Sequence, residues 1–120
     1  MANEIQVTYN GADADLYALA RLTSDVTVWA AAWVAWVDAD IDDYDIVLTD
    51  QGGGLYTATF PAAIAAQSEI HLQIRRRSGA TPALTDYVLD ARTLIWTGSK
   101  LISSTKLVNL VIGGADIGVE

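Results

Sequence analysis

Apolar and polar positions alternate with a period of two in short runs along the chain. The runs are separated by clusters of Gly, Asp, Ser and Pro, which predicts β-strands joined by turns. Ile5, Val7 and Tyr9 share one face of an opening strand, and Asn10-Gly11 with the Asp13 to Asp15 region supplies the turn after it. Leu16 to Leu22 is the next strand, with Leu16, Ala18, Ala20 and Leu22 on a uniformly apolar face. Its other face, Tyr17, Leu19 and Arg21, is mixed and reads as partly wet. Ile46-Val-Leu-Thr49 and Leu55 to Phe60 flank Asp50-Gln-Gly-Gly-Gly54 as the clearest hairpin, because three glycines accept the positive φ that a tight turn needs. Pro61 stops that strand, and Ala62 to Ser68 crosses onward, with room for one helical turn. Glu69 to Arg77 is the most regularly amphipathic segment: Ile70, Leu72 and Ile74 point in, while His71, Gln73, Arg75 and Arg77 point out. Thr85 to Thr97 is read as strand with a kink at Asp90. Residues 101 to 112 form a last, apolar strand before Gly113-Gly114 and an acidic tail.

Val26 to Val37 carries two patterns. Trp29, Trp33, Trp36 and Val37 fall at helical spacing and the alanines favour helix, whereas Val26-Thr-Val-Trp29 opens as a strand and Ala30 to Ala32 would divide two short ones. The hairpin is the preferred reading, with a helix as the alternative. Seven or more short strands with turn chemistry between them indicate an all-β fold, a single antiparallel β-sandwich of immunoglobulin-like kind, with a small β-barrel as the alternative. One domain over 1–120 is expected, in which 101–120 is a C-terminal strand and tail available for subunit contacts.

Composition narrows the chemistry. Among 120 residues there is no Cys, which removes disulfides, zinc-thiolate sites and thiol catalysis. Seven Lys and Arg against 15 Asp and Glu give a net charge of −8, which disfavours nucleic-acid and anionic-membrane partners. The longest uncharged stretch, Gln51 to Ser68, contains three Gly and a Pro and does not read as a membrane span. Met1-Ala-Asn-Glu-Ile lacks the basic flank and apolar stretch of a secretion signal, so folding in a cytoplasm is expected.

His71 is the single histidine, the residue type suited to carry protons near neutral pH, and no Ser sits in a nucleophile-elbow pattern, so a non-enzymatic protein is expected. Asp38, Asp40, Asp42, Asp43 and Asp45 crowd one loop, and the alternation of the first three imitates the start of a calcium loop. Position six of that loop is Asp43 where Gly is required and position twelve is Thr49 where Glu is required. No cofactor is therefore expected, with calcium on Asp38, Asp40, Asp42 and Asp45 as the candidate metal site to test against a plain solvated turn. Arg75-Arg-Arg77 is the one basic cluster, and Arg75 and Arg77 fall on one face. Pairing these two with the acidic loop of a second copy would orient a head-to-tail contact. Trp33 and Trp36 are further candidate contact residues, or sugar-stacking platforms, if they are not core. The near-continuous apolar run Leu107, Val108, Leu110, Val111 and Ile112 suits a strand covered on both faces, or one added to another subunit's edge.

One resemblance covers roughly residues 12 to 99. The series Leu16-Tyr-Ala18, Val28-Trp29, Asp43-Tyr-Asp-Ile46, Leu48-Thr49, Gly54-Leu-Tyr56, Phe60-Pro-Ala62, Gly79-Ala80 with Pro82, and Ile95-Trp-Thr-Gly-Ser99 resembles small immunoglobulin-like β-sandwich modules of tailed-phage virion proteins. The chain departs from that pattern at residues 30 to 36 and in its apolar C-terminal segment. The resemblance implies a virion structural protein, a capsid decoration or tail or fibre component. Such a protein is made in a host cytoplasm, contacts itself or another virion protein, and is homo-oligomeric or lattice-bound. A calcium- or carbohydrate-binding module is the alternative.

Overall fold

The structure is a computed structural model and describes residues 3–10 and 15–103. In chain order its elements are β1 (Ile5–Thr8), β2 (Leu16–Leu22), β3 (Thr27–Trp29), β4 (Trp33–Val34), a 3-10 helix (Asp38–Asp43), β5 (Ile46–Val47), β6 (Thr49–Asp50), β7 (Leu55–Ala58), β8 (Ser68–Arg76), β9 (Tyr87–Trp96) and β10 (Leu101–Ser103). They form two antiparallel sheets, a small one in the order β1-β7-β6 and a large one in the order β10-β9-β8-β2-β3-β4, with β5 beside β3 on the same edge of β2. Neither sheet closes on itself, so the fold is an all-β sandwich and not a barrel.

Alternation builds the main core. Ile5 and Val7 of β1, Tyr56 and Ala58 of β7, Leu16, Ala18 and Ala20 of β2, and Ile70, Leu72 and Ile74 of β8 meet between the sheets with Phe60, Ile64 and Trp96. Each fully buried aliphatic side chain contributes about 1.5–3 kcal/mol by leaving water. Trp96 stacks obliquely on Phe60, with centroids 4.5 Å apart, and its indole N–H donates to the Ile64 carbonyl at 3.0 Å. The segment after Pro61 is thereby fastened by one i→i+3 turn, Ile64 N to Pro61 O, in place of the expected helical turn.

The β6–β7 hairpin forms as expected, with Thr49 opposite Thr57 and Asp50 opposite Tyr56. Gly54 is required there twice over: its φ is +85°, and a Cβ would come within 2.6 Å of the Asn10 side-chain oxygen. Residues 46–49, expected as one strand, are divided between sheets. Ile46 and Val47 pair with β2, Thr49 pairs with β7, and buried Leu48 between them donates its N–H to the Leu16 carbonyl at 3.0 Å. The two β-branched neighbours serve opposite sheets because Leu48 drops into the core and the chain turns about it. The kink at Asp90 is a bulge: Ile74 faces Asp90 while Arg75 faces Val88, leaving Leu89 as the extra residue. Strand β9 starts at Tyr87, two residues later than expected, because Asp86 is engaged elsewhere. Of the expected terminal strand, Leu101–Ser103 is observed as β10; Leu107, Val108, Leu110, Val111 and Ile112 lie outside the described residues.

Candidate functional site

Residues 27–34 resolve as the hairpin. Val28 pairs with Val34 and Trp29 with Trp33, and Ala31 takes φ +68° at its tip, which a helix does not allow. Trp29 and Trp33 lie on the core side and meet edge to face with centroids 5.1 Å apart. Val28 lies on the opposite side of the large sheet, where it joins Tyr17, Leu19 and Tyr44 in a second buried cluster. The face of β2 read as partly wet is therefore dry, with Tyr17 and Leu19 each 1% exposed. What covers it is the acidic segment. Its 3-10 turn aims Ile41 inward, Tyr44 follows it down, and the Tyr44 hydroxyl accepts the Val37 N–H at 3.0 Å to fasten the loop. Two apolar residues inside an aspartate-rich run were the sequence signal for this cover.

The same segment sets the environment of the acidic and aromatic candidates. Trp36 leans on Tyr44 at 4.9 Å, carries the Arg21 guanidinium 4.8 Å from its ring centroid, and donates its indole N–H to Asp38 at 2.5 Å. Its ring is occupied by side chains of its own chain, and no sugar-stacking pair of open Trp faces results. Asp38, Asp40 and Asp42 are exposed, and Asp45 turns toward Arg77. Burial lifts the Asp45 carboxyl above the ordinary range, Asp42 and Asp43 push the same way, and Arg77 opposes them. Among the described residues no three His, Asp or Glu side chains are placed to hold a metal ion, at Asp38, Asp40, Asp42 and Asp45 or elsewhere.

The two candidate arginines have partners within the chain. Arg77 pairs with Asp15 at 3.1 Å, and Arg75 donates to the Gln73 side-chain oxygen at 3.1 Å and the Leu84 carbonyl at 3.4 Å. Arg76 points the other way, toward the Tyr9 ring, as alternation requires. His71 sits mid-strand between Arg21 of β2 and Thr93 of β9, with no carboxylate opposite it in either register.

Sequence reasoning missed the buried carboxylate of Asp86. It is 5% exposed and accepts hydrogen bonds from the Tyr17 hydroxyl at 2.6 Å, the Ala83 N–H at 2.8 Å, and both the N–H and hydroxyl of Ser78 at 3.2 Å. Burial works to raise its carboxyl, but the bonds from Tyr17, Ala83 and Ser78 outweigh it and hold the group below the ordinary range. Burial and then the Asp86 charge push the Tyr17 phenol well above its own. With its oxygens saturated by donors, Asp86 is a pin that ties the 78–86 loop to β2. Compared with protein-family models, with curated proteins and with solved structures, the chain matches none.

Among the described residues, two groups of exposed apolar side chains lie at the margins of the large sheet, while Val26, Val47 and Leu55 are exposed elsewhere. At one margin β4 is the last strand, and Val34 and Val37 are 37% and 47% exposed beside half-buried Trp33 and Trp36. At the other, Leu84, Tyr87 and Val88 are exposed. Among the described residues no helix is long and apolar enough to cross a membrane.

Proposed function

We propose that the chain is a non-enzymatic structural protein of a virus particle. In this reading it decorates a capsid or forms part of a tail or fibre, contacting further copies of itself or another virion protein. The observation that carries the assembly part is the β4 margin. A terminal strand offers unpaired backbone groups, and sheet edges are ordinarily blunted with charge, whereas this one presents Val34, Val37 and the rims of Trp33 and Trp36. The virion part rests on the resemblance of residues 12 to 99 to phage sandwich modules. Arg75 and Arg77 contribute less than the aromatic margin, since a neighbour's acidic loop would have to compete with Asp15, Gln73 and the Leu84 carbonyl.

The test is sedimentation and negative-stain microscopy of the purified chain beside Val34→Asp/Val37→Asp. Wild type is expected to form concentration-dependent multimers or a repeating lattice, and the variant to remain monomeric with its melting temperature preserved, because both side chains are already exposed. A wild-type chain that is monomeric at its highest soluble concentration removes the self-assembly part of the reading, and a variant that assembles equally well removes the β4 margin as its contact surface.

A further inference from the structure

Charge is unevenly distributed along the chain. From Leu22 to Ile74 there are seven Asp and one Glu but no Lys or Arg, and Arg75, Arg76 and Arg77 then follow in succession. Folding carries this division to two places on the large sheet. At the β4 margin, Asp38, Asp40, Asp42 and Asp43 are exposed on the 3-10 turn that follows Val34 and Val37. The arginines stand at the end of β8 beside the start of β9, where Arg75 is opposite Val88, Arg76 is opposite Tyr87, and Arg75 also donates to the Leu84 carbonyl. Leu84, Tyr87 and Val88 are exposed, and Tyr87, at 70%, is the most exposed large apolar side chain among the described residues. Alternation sends Tyr87 and Val88 to opposite faces, so this patch wraps a corner of the sandwich. Arg77 is neutralised by Asp15, but among the described residues Arg75 and Arg76 have no carboxylate at ion-pair distance. Their partners, Gln73, the Leu84 carbonyl and the Tyr9 ring, are uncharged. One surface is therefore apolar and acidic, and the other is apolar and basic.

We propose that these two surfaces meet between copies of the chain: the β4 margin of one copy docks on the Leu84, Tyr87 and Val88 corner of the next, with its acidic turn facing the neighbour's Arg75 and Arg76. The inference rests on the assembly reading and adds the surface that receives the β4 margin. Burial of the apolar side chains holds the contact, and the charges select which surfaces meet. Two β4 margins brought together would oppose the same four carboxylates, and two arginine corners would oppose the same unneutralised cations, so neither surface suits its own counterpart. The contact is heterologous. Each copy uses one surface of each kind, and an open oligomer keeps one of each free at its ends, so it grows into a filament or closes into a ring.

Mixing two variants separates this contact from any other use of the β4 margin. Val34→Asp/Val37→Asp loses the β4 margin and keeps the corner, whereas Leu84→Asp/Tyr87→Asp loses the corner and keeps the β4 margin. All four side chains are exposed, and circular dichroism with melting temperature checks that both variants fold. Sedimentation velocity at low salt is expected to show wild-type oligomers, each variant alone as a monomer, and the equimolar mixture as a one-to-one heterodimer that grows no further. Arg76→Glu leaves the three apolar side chains in place and should weaken wild-type association about tenfold at low salt, and less as salt rises. It carries the same test should Leu84→Asp/Tyr87→Asp not fold. Oligomers of Leu84→Asp/Tyr87→Asp equal to wild type, a mixture that stays monomeric, or association indifferent to Arg76→Glu each overturn the proposal while wild-type oligomers still uphold the assembly reading. A monomeric wild type overturns both.

Discussion

Tyr17→Phe isolates the bond that ties the 78–86 loop to the large sheet. The ring of Tyr17 is 1% exposed and packs with Leu19, Val28 and Tyr44, and Phe keeps that packing, so the loss is the hydroxyl's bond to Asp86 at 2.6 Å. A hydrogen bond to a charged acceptor contributes about 1.5–3 kcal/mol, and the carboxylate keeps three other donors, so about 2 kcal/mol of destabilisation is expected at pH 7. Urea unfolding followed by the fluorescence of the four Trp measures it. In an Asp86→Asn background the acceptor is neutral and one oxygen is lost, so the same Tyr17→Phe change should cost only about 1 kcal/mol or less. The pH dependence has two limbs. The Asp86 carboxyl is held below its unfolded value, so its contribution is complete above about pH 4 and is lost as pH falls through the lower folded value. The Tyr17 phenol is raised, so its contribution is complete below about pH 10 and declines as pH rises toward the folded value; Tyr17→Phe lacks that alkaline limb. A destabilisation under about 0.5 kcal/mol at pH 7, or one undiminished by Asp86→Asn, would refute the pin.

Two further substitutions test other parts of the fold. Val26 holds φ +57° at the β2–β3 turn while 67% exposed. A β-branched residue there is strained by about 1–3 kcal/mol, and the unfolded-state entropy of Gly offsets about 0.4–1, so Val26→Gly should stabilise the chain by about 1 kcal/mol in thermal unfolding. A lowered melting temperature would show that the turn is not strained. Trp96→Phe removes the indole bond to the Ile64 carbonyl and part of the contact with Phe60; about 2–4 kcal/mol should be lost by urea titration, and a loss under about 1 kcal/mol would contradict that role.

Much of the architecture could be read from residue order because a strand's two faces are fixed by local backbone geometry. Ile70, Leu72 and Ile74 had to share a face, Asp50 to Gly54 had to turn, and the Trp-rich stretch divided at its alanines. Three things depended on what lay across space. Whether Tyr17 and Leu19 were wet was settled by Tyr44, which follows the Asp38–Asp43 turn, packing on them with Val28, a contact no period-two pattern encodes. The partners that Arg75 and Arg77 have within the chain, Gln73 and Leu84 for one and Asp15 for the other, depended on where the loops lie in space. The burial of Asp86 was invisible because a carboxylate is held in a dry site only by donors, and Tyr17, 69 residues away in sequence, supplies the shortest of its bonds. Alternation is a property of neighbours along the chain, so sequence alone fixed which side chains travel together. Desolvation and hydrogen-bond pairing are properties of neighbours in space, so only the packed sheets decided which faces stay dry and which edges stay open.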